Sequence, residues 1–154
     1  AAVEAVRAAA GEGPRPKLLG VTVLTSAKAA EPLGQPLDES TLVDNVARRA
    51  EAARSGGLDG VVAPAGAIAE IRRRCGDGFL ILTPGIRPAG AARNDQRWTA
   101  SPGEAVRAGA RWIVVGRPIT AAADPAEAAR GILEEIARAG GSSPGAARGG
   151  AAGV

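Results

Sequence analysis

Four short runs of apolar residues constrain this chain more than any other feature of its sequence. They read LLGVTVLTS at 18–26, DGVVA at 59–63, FLILTPGI at 79–86 and WIVVGRPI at 112–119. Their valines, isoleucines and leucines are nearly continuous and do not alternate with polar residues. This pattern is typical of parallel strands that are buried on both faces. We therefore predict a strand in each run.

The stretches between these runs are amphipathic and predict helices, one of them before the first strand and one after each strand. The order of elements is that of a parallel α/β sheet. Their capping signals are Thr41 with Asp44, Gly76, Ser101 with Pro102 and Glu104, Asp124 with Pro125 and Glu127, and Gly140. Their predicted inward-facing residues are Leu42, Val46, Ala50, Ala53, Ile68, Ile71, Ile132, Leu133 and Ile136.

The chain has 154 residues, a length that predicts one domain. We assign this domain to residues 1–139. Residues 140–154 are rich in glycine, alanine and serine and are aperiodic, so we expect a disordered tail there. The chain contains no methionine, from which we expect further residues upstream of Ala1.

Two architectures fit this order of elements, an open doubly wound sheet and part of a (β/α)8 barrel. In both of them, ligands bind beyond the carboxyl ends of the strands. Those ends are therefore the place to look for functional residues.

Composition excludes several kinds of function. One cysteine and no histidine leave no internal disulfide, no Cys-His nucleophile and no zinc site of the usual type. The net charge of +3 is modest, and we interpret the triplet Arg72–Arg74 as a solvated face and not as a nucleic-acid patch. No apolar run approaches the roughly 18 residues that a membrane span needs. We expect no metal, nucleic-acid or membrane partner, and a location in the reducing cytoplasm.

Two consecutive strand ends carry the same pair of residue types. The third strand is followed by Gly85 and Arg87, and the fourth by Gly116 and Arg117. Glycine lets a ligand approach the backbone closely, and arginine offers a planar fork of donors that suits phosphate oxygens. Gln96 lies in the donor-rich loop after the third strand. These residues predict a phosphate site.

Thr25 and Ser26 at the end of the first predicted strand are ambiguous. Their hydroxyls would serve either to cap the next helix or to contact a ligand.

The segments VTVLTS, GLDGVV, LTPGIRPAG with the following NDQR, and VVGRPIT with the following DPAEAA occur in this order over about residues 1–138. Together they closely resemble orotidine 5'-phosphate decarboxylases. The most specific part is TPGIRP followed by Gln96 and then by GRPI.

This resemblance implies a (β/α)8 barrel in which the four runs are strands five to eight. It also implies conversion of orotidine monophosphate to uridine monophosphate and CO2 without metal or cofactor, by a cytoplasmic homodimer. By the same resemblance, Arg87, Gln96, Gly116 and Arg117 hold the substrate phosphate, and Thr25 and Ser26 lie near the pyrimidine. The loop over 88–97 would close over the nucleotide.

One motif of the family is absent from this sequence. The family uses an Asp-x-Lys-x-x-Asp motif for catalysis, and no such motif occurs in this sequence. Lys17 is predicted at the opposite face of the sheet, and Lys28 does not match a catalytic position of the family. We therefore expect no catalytic residue in this chain and no activity from it alone. The alternatives are a natural half-barrel that only binds nucleotides, and a related sugar-phosphate decarboxylase.

Overall fold

The structure is a computed structural model, and it describes residues 2–10, 13–23, 39–88 and 99–140. Helices and strands alternate along most of these residues. The helices are α1 Ala2–Ala10, α2 Glu39–Ser55, α3 Ile68–Cys75, α4 Pro102–Ala108, α5 Arg117–Thr120 and α6 Pro125–Gly140, with a 3-10 turn at Ala65–Ala67. The strands are β1 Leu19–Val21, β2 Gly60–Val62, β3 Leu80–Thr83 and β4 Trp112–Ile113.

The four strands form one parallel sheet in the order β1-β2-β3-β4. Each strand therefore pairs with the next one along the chain, and the described part contains no reversal of order. A doubly wound sheet reverses its order at a switch point, whereas a barrel does not. Of the two architectures open to the sequence, the observed order is that of a barrel segment.

The two faces of the sheet have different environments. Val61 and Ile81 are fully buried in the main hydrophobic core, together with Val46 of α2 and Ile68 and Ile71 of α3. Since crossovers between parallel strands are right-handed, a steady progression of strands places successive helices on one face. That face holds the core of the described structure.

The opposite face carries a row of apolar side chains in register. Val21 pairs with Val62, Val62 with Leu82, and Leu82 with Trp112. At the ends of this row, 62% of Val21 and 41% of Trp112 are exposed to solvent. The prediction that the strands are buried on both faces is therefore wrong for the two edge strands.

The predicted helix ends are confirmed in part. Helix α2 begins at Glu39, so Thr41 lies within its first turn and is not at the N-cap position that the predicted capping box requires. The Asp44 carboxylate instead forms ion pairs with Arg48 and Arg74, each at 2.7 Å. Gly76 ends α3 at a φ of 80°, which confirms the predicted glycine C-cap.

The capping box of α4 is confirmed in full. The Glu104 amide donates to Ser101 Oγ at 3.2 Å, and the Ser101 amide donates to Glu104 Oε2 at 2.8 Å. At α6, the Glu127 amide donates to Asp124 Oδ1 at 2.9 Å, as the cap over 124–127 predicts.

The inward faces of the helices follow the predicted pattern with one clear exception. Leu42, Val46, Ala50, Ile68, Ile71 and Ile132 are buried, whereas Ala53 and Ile136 are half-buried. Leu133 is 63% exposed, so its predicted burial is wrong. Successive residues of a helix are rotated by about 100° around its axis. Leu133 therefore does not lie on the face that Ile132 shares with Ile136 and Ala139.

The last predicted strand is much shorter than its apolar run. Strand β4 ends at Ile113, and Arg117–Thr120 forms the short helix α5 inside the run that we predicted as a strand over 112–119. Pro118 explains this in part, since proline has no backbone N–H to donate to a neighbouring strand and suits the first turn of a helix.

Helix α6 extends through Gly140, and residues 141–154 of the predicted tail lie outside the described residues.

The arginine triplet is integrated into the fold. Arg72 donates to the carbonyl oxygens of Gly76, Asp77, Phe79 and Gly109, where it joins the ends of α3 and α4 to the start of β3. The Arg74 side chain is only 18% exposed and pairs with carboxylates of α2 and of its own helix. The interpretation as a solvated face is therefore wrong for Arg72 and Arg74 and holds only for Arg73.

Asp59 organises the amino-terminal edge of the sheet. Its carboxylate accepts hydrogen bonds from Arg15 at 2.7 and 2.8 Å, from the Leu18 amide at 2.9 Å and from Lys17 at 3.3 Å. The hydrogen bond from Arg15 is the main reason that the pKa of Asp59 lies well below its usual value. Lys17 therefore lies at the edge opposite to the strand ends, as predicted.

Candidate functional site

The candidate site begins where β3 and β4 end side by side. Thr83 pairs with Ile113, and the Val114 amide donates to the Thr83 carbonyl oxygen at 2.9 Å. Both strands run in the same direction, so their carboxyl ends share one edge of the sheet. The Gly-Arg pair that follows each strand therefore begins from the same edge.

Gly85 turns the chain directly after β3. Its φ is 79°, in the left-handed region that only glycine adopts at little energetic cost. The next residue, Ile86, is fully buried and anchors this turn in the core. The turn thus brings Arg87 to the carboxyl edge of the sheet.

Arg87 is half-buried and has one described side-chain contact. Its Nη1 donates to the Ile86 carbonyl oxygen at 3.0 Å. A guanidinium carries five N–H donors, so this single bond leaves most of its donor capacity available within the described structure. The arrangement suits an anion with several oxygen acceptors.

Gly116 caps the short helix α5. Its carbonyl oxygen accepts hydrogen bonds from the amides of Ile119 at 2.8 Å and Thr120 at 3.1 Å. Among the residues that the structure describes, no heavy atom lies within 4 Å of a Cβ atom placed on Gly116. The space over this backbone is therefore open, and Arg117 follows it as an exposed first residue of the helix.

The loop between β3 and α4 has a closed base. Ile86 and Ala100 form a parallel bridge, and the Arg87 amide donates to the Ala100 carbonyl oxygen at 3.0 Å. The two ends of this loop are therefore joined just above the sheet. Gln96 itself lies outside the described residues, so its predicted role stays a prediction.

The end of β1 is held by α2. Arg49 Nη1 donates to the Thr22 carbonyl oxygen at 2.7 Å, and Thr22 Oγ1 donates to the Val62 carbonyl oxygen at 2.8 Å. Thr25 and Ser26 lie just beyond this point and outside the described residues. Their predicted contact with a ligand is therefore not tested.

A pocket of about 450 Å³ lies elsewhere, between the amino-terminal part of α2 and α3. Its lining residues are Ser40, Val43, Asp44, Glu70 and Arg74, and none of them belongs to the predicted site. Within the described ranges, no cluster of His, Cys, Asp and Glu residues is arranged to hold a metal ion. No helix in the described part is long and apolar enough to cross a membrane.

Sequence reasoning missed two residues that support this edge of the sheet. Arg49 holds the end of β1, and Glu135 of α6 accepts a hydrogen bond from the Gly103 amide of α4 at 2.9 Å. Both contacts join residues far apart in sequence. No local pattern marks them, apart from the position of Glu135 on the apolar face of its helix.

Comparison with known families decides what kind of barrel segment this is. The model of the orotidine 5'-phosphate decarboxylase / HUMPS family matches residues 1–132. The chain belongs to this family.

Individual members of the family are similar to the chain over most of its length. An orotidine 5'-phosphate decarboxylase of Moorella thermoacetica is 51% identical over 138 residues, which are 88% of this chain and 55% of the relative. One of Geobacter sulfurreducens is 53% identical over 124 residues, which are 80% of this chain and 52% of the relative. The chain thus spans about half the length of the curated relatives that it matches.

Two solved structures share the fold of this chain. The orotidine 5'-phosphate decarboxylase of Lactobacillus acidophilus matches with a TM-score of 0.61 and 34% identity, over 82% of this chain and 51% of that one. An uncharacterized conserved protein of Geobacillus kaustophilus matches with a TM-score of 0.64 and 33% identity, over 88% of this chain and 56% of that one. The expected fold, the carboxyl-terminal part of a (β/α)8 barrel of this family, fits both findings and the strand order.

Proposed function

We propose that this chain is the phosphate-binding part of an orotidine 5'-phosphate decarboxylase, a carboxy-lyase of pyrimidine biosynthesis. The whole enzyme would convert orotidine monophosphate to uridine monophosphate and CO2, without metal or cofactor. The observation that carries the proposal is the pairing of β3 with β4, which starts two Gly-Arg pairs from one edge of the sheet. Family membership supports the choice of substrate.

The phosphate would be bound by charge and by hydrogen bonds at that edge. Arg87 and Arg117 supply two guanidinium groups, and the open backbone of Gly116 lets phosphate oxygens approach. Gln96 would add an amide donor from the loop whose base is formed by Arg87 and Ala100. Thr25 and Ser26 would contact the pyrimidine.

Binding of the substrate phosphate would assist the reaction even though the phosphate lies far from the reacting carbon. Energy gained from a remote group can position and strain the reacting part of a substrate. The chain itself lacks the Asp-x-Lys-x-x-Asp motif of the family, so it would supply this binding energy and no catalytic residue. The loop over 88–97 would close over the nucleotide.

Two alternatives share the same phosphate site. A related sugar-phosphate decarboxylase would also need a phosphate site at the carboxyl ends of these strands. A half-barrel that only binds nucleotides would also keep this site. Ligand preference separates the first alternative from our proposal, and turnover by the whole protein separates the second.

We also propose that the whole protein is a homodimer and that it is located in the cytoplasm.

The test is a calorimetric titration of the chain with uridine monophosphate, uridine and ribose 5-phosphate. We expect uridine monophosphate to bind most tightly. Arg87→Ala should weaken this binding by roughly 10–100-fold, because hydrogen bonds to charged groups contribute about 1.5–3 kcal/mol. Arg87→Lys should give an intermediate loss, since it keeps the charge and removes the planar fork.

Arg130→Ala is the matched control. Arg130 is exposed on α6 and pairs with Glu127 of the same helix at 2.6 Å, away from the strand ends. This variant should bind uridine monophosphate like the unchanged chain. Equal affinity for uridine and uridine monophosphate would overturn the phosphate site, and a preference for ribose 5-phosphate would favour the sugar-phosphate alternative.

A further inference from the structure

The base of the loop between β3 and α4 is connected to α6 through a short chain of contacts. The Arg87 amide donates to the Ala100 carbonyl oxygen, and Ser101 then caps α4. Two residues further on, the Gly103 amide donates to Glu135 Oε1 at 2.9 Å. A movement of α4 against α6 would therefore move Ala100 and with it the contact that joins both ends of the loop.

Glu135 occupies an unexpected position on α6. Residues 132, 135, 136 and 139 share one face of this helix, and Ile132 and Ala139 on it are only 5% and 2% exposed. A carboxylate placed among such neighbours loses part of its hydration, which is unfavourable unless a donor replaces the water. The Gly103 amide is that donor, and charge-assisted bonds of this type are stronger than neutral ones.

The absence of a side chain at Gly103 makes room for this hydrogen bond. It is buried in the interface between α4 and α6, and a Cβ atom on it would lie 3.2 Å from Glu135 Oε1 and 3.4 Å from the Ala139 Cβ. The missing side chain thus lets the two helices approach closely enough for the bond. An apolar residue at position 135 would pack at the same place and would give α4 no directional contact.

We propose that Glu135 is a positioning residue for Arg87 at the proposed phosphate site. It acts through Gly103 and α4 on Ala100, and so on the backbone of Arg87. This inference rests on the proposed function, because it assigns Glu135 to the same phosphate site. Glu135 does not contact the substrate, and its effect reaches the site through the backbone alone.

The test compares three variants of the chain. Glu135→Ala removes the acceptor, and Glu135→Gln keeps an oxygen that accepts from the Gly103 amide. Glu134→Ala is the matched control, since Glu134 is the neighbouring acidic residue and is exposed. Two quantities are measured, the hydrogen exchange rates of the Arg87 and Gly103 amides without ligand, and the affinities for uridine monophosphate and uridine.

We expect Glu135→Ala to speed exchange at both amides and to weaken binding of uridine monophosphate by about tenfold, with uridine unaffected. Glu135→Gln should restore most of both properties, and Glu134→Ala should match the unchanged chain. Unchanged Arg87 exchange in Glu135→Ala would overturn the inference. So would an equal loss of affinity for both ligands, because that pattern indicates general destabilisation.

The two proposals fail in different ways. If the unchanged chain binds uridine monophosphate no better than uridine, the proposed function fails, and the assignment of Glu135 to a phosphate site fails with it. If the unchanged chain prefers uridine monophosphate and Glu135→Ala keeps that preference, only the inference about Glu135 fails.

Discussion

At the scale of single residues, ion pairs made by the arginines of α3 make stability depend on pH. Glu70 accepts hydrogen bonds from Arg73 and Arg74 at 2.6–2.8 Å, and these bonds lower its pKa from 4.5 to about 2. The unfolded chain therefore binds more protons than the folded chain between these two values. The stabilisation by Glu70 is fully present above about pH 5 and is lost as the pH falls towards 2. Asp44 and Asp59 have lowered pKa values for the same kind of reason and add to this trend.

We predict that Glu70→Gln flattens this dependence. The free energy of unfolding of the unchanged chain should fall steeply as the pH decreases through this window, and that of the variant should fall less steeply. Urea denaturation at a series of pH values measures both slopes. Parallel curves for the two proteins would show that Glu70 is not a source of the acid sensitivity.

At the scale of elements, α4 is the helix whose start the sequence describes most completely. Ser101 caps it, Pro102 occupies the first turn, and Glu104 closes the capping box. Ser101→Ala should lower the free energy of unfolding by about 1 kcal/mol, because it leaves the Glu104 amide without its acceptor. Ser101→Asp keeps an acceptor at this place and should be close to the unchanged chain. The urea midpoints of the three proteins measure these differences, and a Ser101→Ala variant as stable as the unchanged chain would contradict the prediction.

At the scale of the whole molecule, the described sheet has a buried face and an apolar face that is partly open. The open row runs from Val21 to Trp112 at the two edge strands. The family members that match this chain are longer than it, and the chain covers about half of each of them. We therefore expect the phosphate-binding and the catalytic parts of the activity to be separable.

The corresponding prediction is that the chain binds uridine monophosphate and does not decarboxylate orotidine monophosphate. The sequence contains no Asp-x-Lys-x-x-Asp motif to stabilise and protonate the carbanion that loss of CO2 leaves. A spectrophotometric assay of the purified chain measures the reaction, and turnover above a blank without protein would contradict the prediction.

Local patterns in the sequence predicted the parts of this structure that depend on a few neighbouring residues. The four strands, the capping box at Ser101, the glycine end of α3 and the two Gly-Arg pairs all belong to this group. They are readable because caps, turns and helical periodicity act over about four residues. Even there, Thr41 and Leu133 were assigned wrongly, since a shift of one or two residues changes the role of a side chain.

The tertiary structure alone decided how these elements meet. The order β1-β2-β3-β4 separates a barrel segment from a doubly wound sheet, although both have the same sequence of elements. The bonds from Arg72 to the Gly109 carbonyl oxygen, from Arg49 to Thr22 and from Gly103 to Glu135 form only once these elements are packed together. They join residues that are distant along the chain, and no local preference brings them together. The sequence by itself therefore determined most of the elements and the family, whereas packing determined where β4 ends and which residues support the site.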